Sequence, residues 1–308
     1  MQIVQNIFDI HNTDPYVCAL GNFDGLHHGH RYLLNTAKEI AQENNYKFAV
    51  MTFEPHPAIF FKRAENIRIL PLELKLEELK KLDSDMVVIQ DFYDEFAKIS
   101  AKTFVQKILL EHLNIKHIVI GHDFIFGRNR SGNPEFLRQM AKEHNFGFTQ
   151  ISSQQCAENN LIYSSSAIRK AIKAGDMKLV SDLMGHEYIV FGEIKRGNNI
   201  GKELGYQTAN IDLSDHVRPK YGVYAVKIEL QGEIYNAVAN FGLRPTITNS
   251  PEEVLEIHIF DFNKTIYGEK IKVSFIDFIR PERKFGSKND LVKQIANDCD
   301  KAKMILAS

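Results

Sequence analysis

The spacing of apolar residues along this chain changes character once, a little past its middle. Up to about residue 150, short apolar runs alternate with stretches whose apolar residues return every three or four positions. Tyr16 to Leu20 is a continuous apolar run and predicts a buried strand. Arg31 to Glu43 places Leu33, Leu34, Ala37, Ile40 and Ala41 at helical spacing and predicts a helix. Strands follow at Lys47 to Phe53, Met86 to Gln90, Lys116 to Ile120 and Phe148 to Ile151. Helices are expected at Leu74 to Leu82, Ser100 to His112 and Pro134 to Asn145. Ser100 suits an N-cap, with Phe104, Ile108 and Leu109 as the core face behind it. Such alternation means a parallel, Rossmann-like α/β sheet covered on both faces, with ligands at the carboxyl ends of its strands.

Ser166 to Leu183 is again helical, and Gly185 interrupts it. Beyond it the pattern is short strands: Tyr188 to Ile194, Gly222 to Leu230, Ile234 to Phe241, Leu255 to Phe260 and Lys270 to Ile279. Gly, Pro and Asn separate them, which predicts an antiparallel barrel or sandwich. Asn289 to Leu306 closes the chain as a helix with Leu291, Ile295, Cys299, Ala302 and Leu306 on one face. The change of pattern puts a boundary at Leu183 to His186, giving domains of residues 1–184 and 185–308.

Composition narrows the partners. The 308 residues carry a formal net charge of −1, which argues against a polybasic nucleic-acid or membrane-surface protein. No leader-like segment or bilayer-length apolar run is present, so the expectation is a cytoplasmic protein, monomeric or weakly self-associating. Cys18, Cys156 and Cys299 form no C-x-x-C pair, and Cys18 and Cys299 sit where buried small apolar residues belong. Plentiful Phe and Tyr could line a pocket for a flat ring.

The densest chemistry lies directly after the first strand, in Gly21-Asn22-Phe23-Asp24-Gly25-Leu26-His27-His28-Gly29-His30. A glycine-punctuated turn from strand to helix aims backbone N–H groups and the positive end of a helix dipole at one point. His27 and His30 stand at that mouth, where imidazoles donate to phosphate oxygens and offset charge on a leaving group. His28 between them reads as a bystander, and Asp24 could simply shape the turn. The run resembles the G-x-F-D-x-x-H-x-G-H signature of the nucleotidyltransferase superfamily. Three further stretches look like walls of the same site. Phe53-Glu54-Pro55-His56-Pro57 is a proline-stiffened loop after a strand. Gly121 to Asn133 combines Asp123, Phe124, Phe126, Arg128 and Arg130, a mixture suited to a phosphorylated aromatic ligand. Ser164-Ser165-Ser166-Ala167-Ile168-Arg169 opens a helix with hydroxyls, which either cap it or clamp phosphate.

In the second half, the glycine-rich Gly197 to Gly205 leads into Thr208 and Asn210, two residues apart on one strand face. Their oxygens could hold Mg²⁺ beside nucleotide phosphates, although Thr-x-Asn alone is commonly a surface pair. Glu256 is a carboxylate inside an apolar strand, placed either for solvent or for taking a proton from a hydroxyl that attacks a γ-phosphate. His258, on the same face, is taken as structural. G-x-x-x-G-x-x-L-G-x-x-T-A-N, then Tyr221-Gly222-Val223-Tyr224-Ala225, Asn240-Phe241-Gly242-Leu243-Arg244-Pro245-Thr246 and the Glu256 strand resemble flavokinase, in order.

Together the two halves resemble the bacterial bifunctional riboflavin kinase/FAD synthetase family over nearly the whole chain. The resemblance implies phosphorylation of riboflavin to FMN by ATP in the second half, and transfer of AMP from ATP to FMN, giving FAD and pyrophosphate, in the first. It implies catalytic roles for His27, His30, Arg169 and Glu256, and assigns Gly21, Phe23, Asp24, Gly29, Ser164 and Ser165 to the first ATP. Pro55, His56, Asp123, Phe124, Arg130 and Asn133 fall on the flavin side. Gly197, Gly201, Lys202, Gly205, Thr208 and Asn210 go to the kinase ATP, with Thr208 and Asn210 on Mg²⁺. The sequence departs from the family pattern at Gln207, where proline is usual, and at Lys202, where arginine is usual. A looser loop and a lysine that cannot make a bidentate phosphate contact touch kinase efficiency more than kinase identity. Ile125 stands where the family often has arginine, and Ser166 replaces a common threonine. Three alternatives stay open: an adenylyltransferase whose barrel only binds flavin, a nucleotidyltransferase for a CDP-alcohol or coenzyme A precursor, and a non-enzymatic flavin binder.

Overall fold

The structure, a computed structural model, describes residues 1–10, 14–155, 161–195, 208–244, 252–264 and 266–307. The chain forms two compact units, Met1–Glu65 with Leu72–Ser164, and Asn66–Pro71 with Ser165–Ser308.

The first unit is built on six strands: β1 (Gln2–Val4), β2 (Tyr16–Leu20), β3 (Lys47–Glu54), β4 (Met86–Asp91), β5 (Ile115–Gly121) and β6 (Gly147–Ile151). They pair in the order β1-β4-β3-β2-β5-β6, every pair parallel. The order runs outward from β2 to β3 and β4 on one side, then returns to β5 and β6 on the other. The reversal lies between β2 and β5, and in open parallel sheets a ligand crevice forms outside the carboxyl ends at such a point. All five residues of β2 are buried, as the apolar run predicted. Helix α1 (His28–Glu43) follows it and buries Leu33, Leu34, Ala37 and Ala41. Helix α2 (Pro134–His144) precedes β6 and buries Leu137, Met140 and Ala141.

Three details differ from the expectation, one being that the stretch read as helical from Ser166 to Leu183 is two helices parted at Gly175 and Asp176. Strand β1 was not anticipated, because three residues are too few to show a period. The helix expected at Ser100 to His112 keeps its cap, with Ser100 Oγ accepting from Thr103 N–H at 3.0 Å, but winds wide from Phe104 to His112. Its bonds there span five residues, as from Leu113 N–H to Ile108 O at 3.1 Å. Phe104, Ile108 and Leu109 are buried all the same.

The second unit opens with α3 (Ser165–Ala174) and α4 (Met177–Met184), which ends on Gly185 in the left-handed conformation. Six strands then close a barrel: β7 (Tyr188–Lys195), β8 (Ala209–Ile211), β9 (Gly222–Leu230), β10 (Glu233–Arg244), β11 (Glu252–Ile259) and β12 (Lys270–Pro281). The order around it is β10-β11-β8-β7-β12-β9, with antiparallel pairing throughout. Closure gives each of the six strands a paired neighbour on both sides. Alternate residues fill the interior, including Tyr224, Val226, Phe241, Leu255, Ile257 and Phe275. The C-terminal helix α5 (Lys288–Ala307) covers an apolar strip on the outer face, Val223, Ala225, Val238 and Phe260, with Cys299 and Ala302. It is fastened by Asp298, which takes Arg280 Nη2 at 2.7 Å and Nε at 2.9 and 3.0 Å, and Gln294 Nε2 at 2.8 Å. At Gly222 a Cβ would lie 2.3 Å from the Arg280 carbonyl oxygen, so only glycine fits beneath that strand.

Candidate active sites

The chain leaves β2 at Gly21, whose N–H donates to Met51 O on β3 at 3.1 Å. The turn then uses left-handed backbone at Phe23, Gly25 and Leu26. Phe23 and Leu26 are buried at 1% exposure, so core packing holds their backbone in a conformation that side chains other than glycine rarely adopt. His27 caps α1, its Nδ1 accepting from His30 N–H at 3.2 Å. That bond puts the proton of a neutral His27 ring on Nε2, where it serves as a donor. The His30 ring stacks on His27 with centroids 3.6 Å apart and planes 18° from parallel. Phe23 meets His30 edge-on at 5.4 Å. A Cβ at Gly29 would stand 3.2 Å from the His27 ring, which explains the glycine between the two histidines. Asp24 is buried within the turn. His28 is exposed and packs tilted against Tyr163 at 5.1 Å.

Two neighbouring loops leave the same edge of the sheet. After β3, His56 caps the short helix Pro57–Phe60 by accepting from Ala58 N–H at 3.1 Å, and Pro55 before it is exposed. The Glu54–Pro55 bond is cis. After β5, Phe126 and Gly132 exchange backbone bonds of 3.1 and 2.9 Å and close a small loop. Phe124 stacks on Phe126 at 5.6 Å, while Asp123, Arg128 and Arg130 are exposed. Asn133 caps α2, its Oδ1 accepting from Phe136 N–H at 2.8 Å. The parallel sheet thus brings the elbow, the Pro55 loop and the Asp123–Asn133 loop to the carboxyl ends of three adjacent strands, β3, β2 and β5. Ser164 follows Tyr163 and is half-buried. In the second unit Ser165 begins α3, and Arg169 Nε donates to Ile67 O at 2.8 Å.

The barrel builds its site by register instead. Asn210 on β8 pairs with Glu256 on β11, and Glu256 pairs with Asn240 on β10. Residues directly opposite across antiparallel strands share a face with Cβ atoms about 5 Å apart. Glu256 is half-buried between Leu255 and Ile257, which face the interior, so alternation turns the carboxylate to the outer face beside both asparagines. Asn210 is 5% exposed, and Thr208 stands just before its strand. His258 packs edge-on against Phe260 at 5.8 Å. Asn240 had been quoted only as part of a motif, and its place beside Glu256 follows from pairing that no local pattern reports. Gly197, Gly201, Lys202, Gly205 and Gln207 lie outside the described residues. Among the described residues no cluster of three His, Cys, Asp or Glu side chains could hold a metal ion.

Comparison with known proteins matches each half separately. The FAD synthetase family covers residues 9–167 and the riboflavin kinase family residues 184–306. A bifunctional riboflavin kinase/FMN adenylyltransferase from Haemophilus influenzae is 40% identical, covering 99% of this chain and all of its own. The Bacillus subtilis protein of that name is 37% identical over 95% of this chain and 96% of its own. A crystal structure described as a macrolide-efflux protein from Streptococcus pneumoniae superposes with a TM-score of 0.85 at 31% identity, covering 98% of both chains. Among the described residues no helix is long and apolar enough to cross a membrane. With the elbow on one fold, Glu256 between two asparagines on the other, and both families matched in order along the sequence, the chain belongs to the bifunctional riboflavin kinase/FMN adenylyltransferase family.

Proposed function

We infer that the chain makes FAD from riboflavin in two ATP-dependent steps, with each family half carrying one. The observation that carries this reading is the order and extent of the two family matches, which leave neither half unassigned. We take residues 1–184 and 185–308 as the functional division.

In the second half, a terminal hydroxyl of riboflavin attacks the γ-phosphorus of ATP. A new O–P bond forms, the bond to the β-phosphate oxygen breaks, and ADP leaves. Glu256 takes the hydroxyl proton, with Asn210 and Asn240 directly opposite it on the two neighbouring strands. Thr208 and Asn210 fit Mg²⁺ as neutral oxygen donors, since this ion takes much of its shell from phosphates and water; it would neutralise phosphate charge there. In the first half, a phosphate oxygen of FMN attacks the α-phosphorus of ATP and pyrophosphate departs. The start of α1, with His27 and His30, would offset that departing charge through its N–H groups and imidazole donors. Gly21, Phe23, Asp24 and Gly29 shape the nucleotide's seat, and for Ser164, Ser165 and Arg169 we keep the phosphate role that the resemblance implies. Pro55, His56, Asp123, Phe124 and Arg130 form the flavin side, with Asn133 fixing the end of that loop through its cap. Both reactions are displacements at phosphorus that need positioning and charge neutralisation rather than a covalent intermediate. Consumption of ATP and two buried free cysteines, Cys18 and Cys299, support a cytoplasmic protein, and we keep the expectation of a monomer or weak homo-oligomer.

The test is the product list from riboflavin, ATP and Mg²⁺. FMN and FAD should both accumulate, and FAD alone should form when FMN is supplied. Gln207 and Lys202 favour one second reading, an adenylyltransferase whose barrel turns over poorly. Turnover only from FMN would select it.

A further inference from the structure

The helix Leu72–Lys81 carries a lysine on its buried side. Lys75 is 3% exposed, in company with Leu74 and Leu79. Lysines are almost never buried this far without compensating bonds. Here Nζ donates to the carbonyl oxygen of Asn22 at 2.9 Å. The same oxygen receives Thr52 Oγ1 from β3 at 3.1 Å, and Thr52 is itself fully buried. Two deep side chains from separate elements therefore converge on one backbone carbonyl, inside the histidine-bearing elbow.

That carbonyl has a geometric consequence. In a trans peptide the C=O of one residue and the N–H of the next lie in one plane and point in opposite directions. Drawing the Asn22 oxygen inward, toward Lys75 and Thr52, turns the Phe23 N–H the other way. It also fixes the plane that leads into the left-handed Phe23, whose ring sets the edge of the His30–His27 stack.

We propose that Lys75 is a positioning residue for the adenylyl transfer. With Thr52 it locks the Asn22–Phe23 peptide so that an N–H, not a carbonyl oxygen, meets the nucleotide phosphates, and so that the stacked histidines keep their place. A carbonyl flipped outward would set negative charge against the triphosphate, where an N–H should donate. The inference rests on the elbow being the seat of ATP, and the experiment separates the two.

Lys75→Met keeps the length of the chain and removes the donor, and Thr52→Val removes the second donor with its shape conserved. FAD formation from FMN should fall in kcat on the order of a hundredfold in Lys75→Met, the scale of a misplaced catalytic group, with KM for FMN little changed. Thr52→Val should lose roughly threefold in the same direction, as the weaker of two donors to one oxygen. FMN formation from riboflavin by the same full-length protein should stay at the wild-type rate, and an unchanged circular-dichroism melt of the whole chain reports that the first unit is folded. His30→Ala runs beside them. If it leaves FAD synthesis intact, the elbow is not the ATP seat and the proposal falls with that reading. If His30→Ala abolishes FAD synthesis while Lys75→Met stays within about twofold of wild type, the elbow stands and the role of Lys75 is overturned, because a positioning effect of the size expected is absent. Should Lys75→Met not fold, Thr52→Val decides: a wild-type kcat overturns the proposal, and a lowered kcat at unchanged KM supports it.

Discussion

The two candidate sites are assembled by opposite constructions. The elbow is one continuous turn in which consecutive backbone groups and a helix start face one direction, with His27 as the cap of that helix and His30 three residues on. The barrel site is a row assembled across three strands, with Asn210, Glu256 and Asn240 brought level by pairing alone. The first depends on backbone conformation and tolerates little change in shape. The second depends on register, and its rigidity comes from the closed sheet around it. A substitution that alters a turn should therefore wound one activity, and one that alters a carboxylate or its neighbours should wound the other.

The sharpest break of that symmetry is at Glu256, the proton acceptor we propose. Glu256→Gln should lower FMN formation by about three orders of magnitude, the range of a general base, and leave FAD synthesis from FMN unchanged. His30→Ala should do the reverse, losing roughly a hundredfold or more in FAD synthesis while riboflavin is still phosphorylated. Steady-state assays with riboflavin or FMN as the starting flavin read both, and cross-loss in either variant would defeat the claim of independent sites. Next in size is the fastening of α5. Asp298→Ala leaves Arg280 largely buried without its partner and should cost about 3–5 kcal/mol in urea unfolding of the second unit. Kinase activity should then vanish at lower denaturant than adenylyl transfer. Gly29→Ala comes after it: the new methyl, 3.2 Å from the His27 ring, should slow FAD synthesis about tenfold by disturbing placement, with riboflavin phosphorylation untouched.

The smallest effect is one of pH. His216, 4% exposed, has Nδ1 2.7 Å from Leu213 O and no hydrogen bond to Nε2 among the described residues. Burial lowers its pKa from the ordinary imidazole value of 6.5; the Arg68 and Arg218 charges add to the lowering, while the Leu213 bond and Asp215 oppose it. The unfolded chain therefore binds a proton that the folded one resists. Stability present above about pH 6.5 should drain away as pH falls from there toward the lowered folded value. His216→Gln should flatten the fall in melting temperature between neutral and mildly acid pH. An unchanged slope would assign the acid sensitivity elsewhere.

How much of this could be read from sequence follows the same division. The strand, turn and helix of the elbow were legible, because its glycines, its histidines and the helix behind them are consecutive. The alternation of strands and helices gave the parallel sheet, and the short strands after Gly185 gave the antiparallel half. Strand order was not legible: nothing in Tyr16 to Leu20 says that it lies between β3 and β5. Lys75 and Thr52 escaped attention because a lone lysine in a charged helix and a lone threonine in a strand look ordinary until tertiary packing brings them to one oxygen. Asn240 was hidden for a related reason, since its neighbour Glu256 is distant in sequence and adjacent only by pairing. The wide winding of Phe104 to His112 left no mark in a pattern that fits either helix.

The strip of Val223, Ala225, Val238 and Phe260 beneath α5 sets a limit on how this polypeptide could be shortened. A version ending before Lys288 would keep every barrel strand and its full ladder of backbone bonds, yet present a greasy stripe to water. Such a fragment should clump in solution before its far-ultraviolet signature shows any loss of β content, so its failure would look like poor expression rather than misfolding.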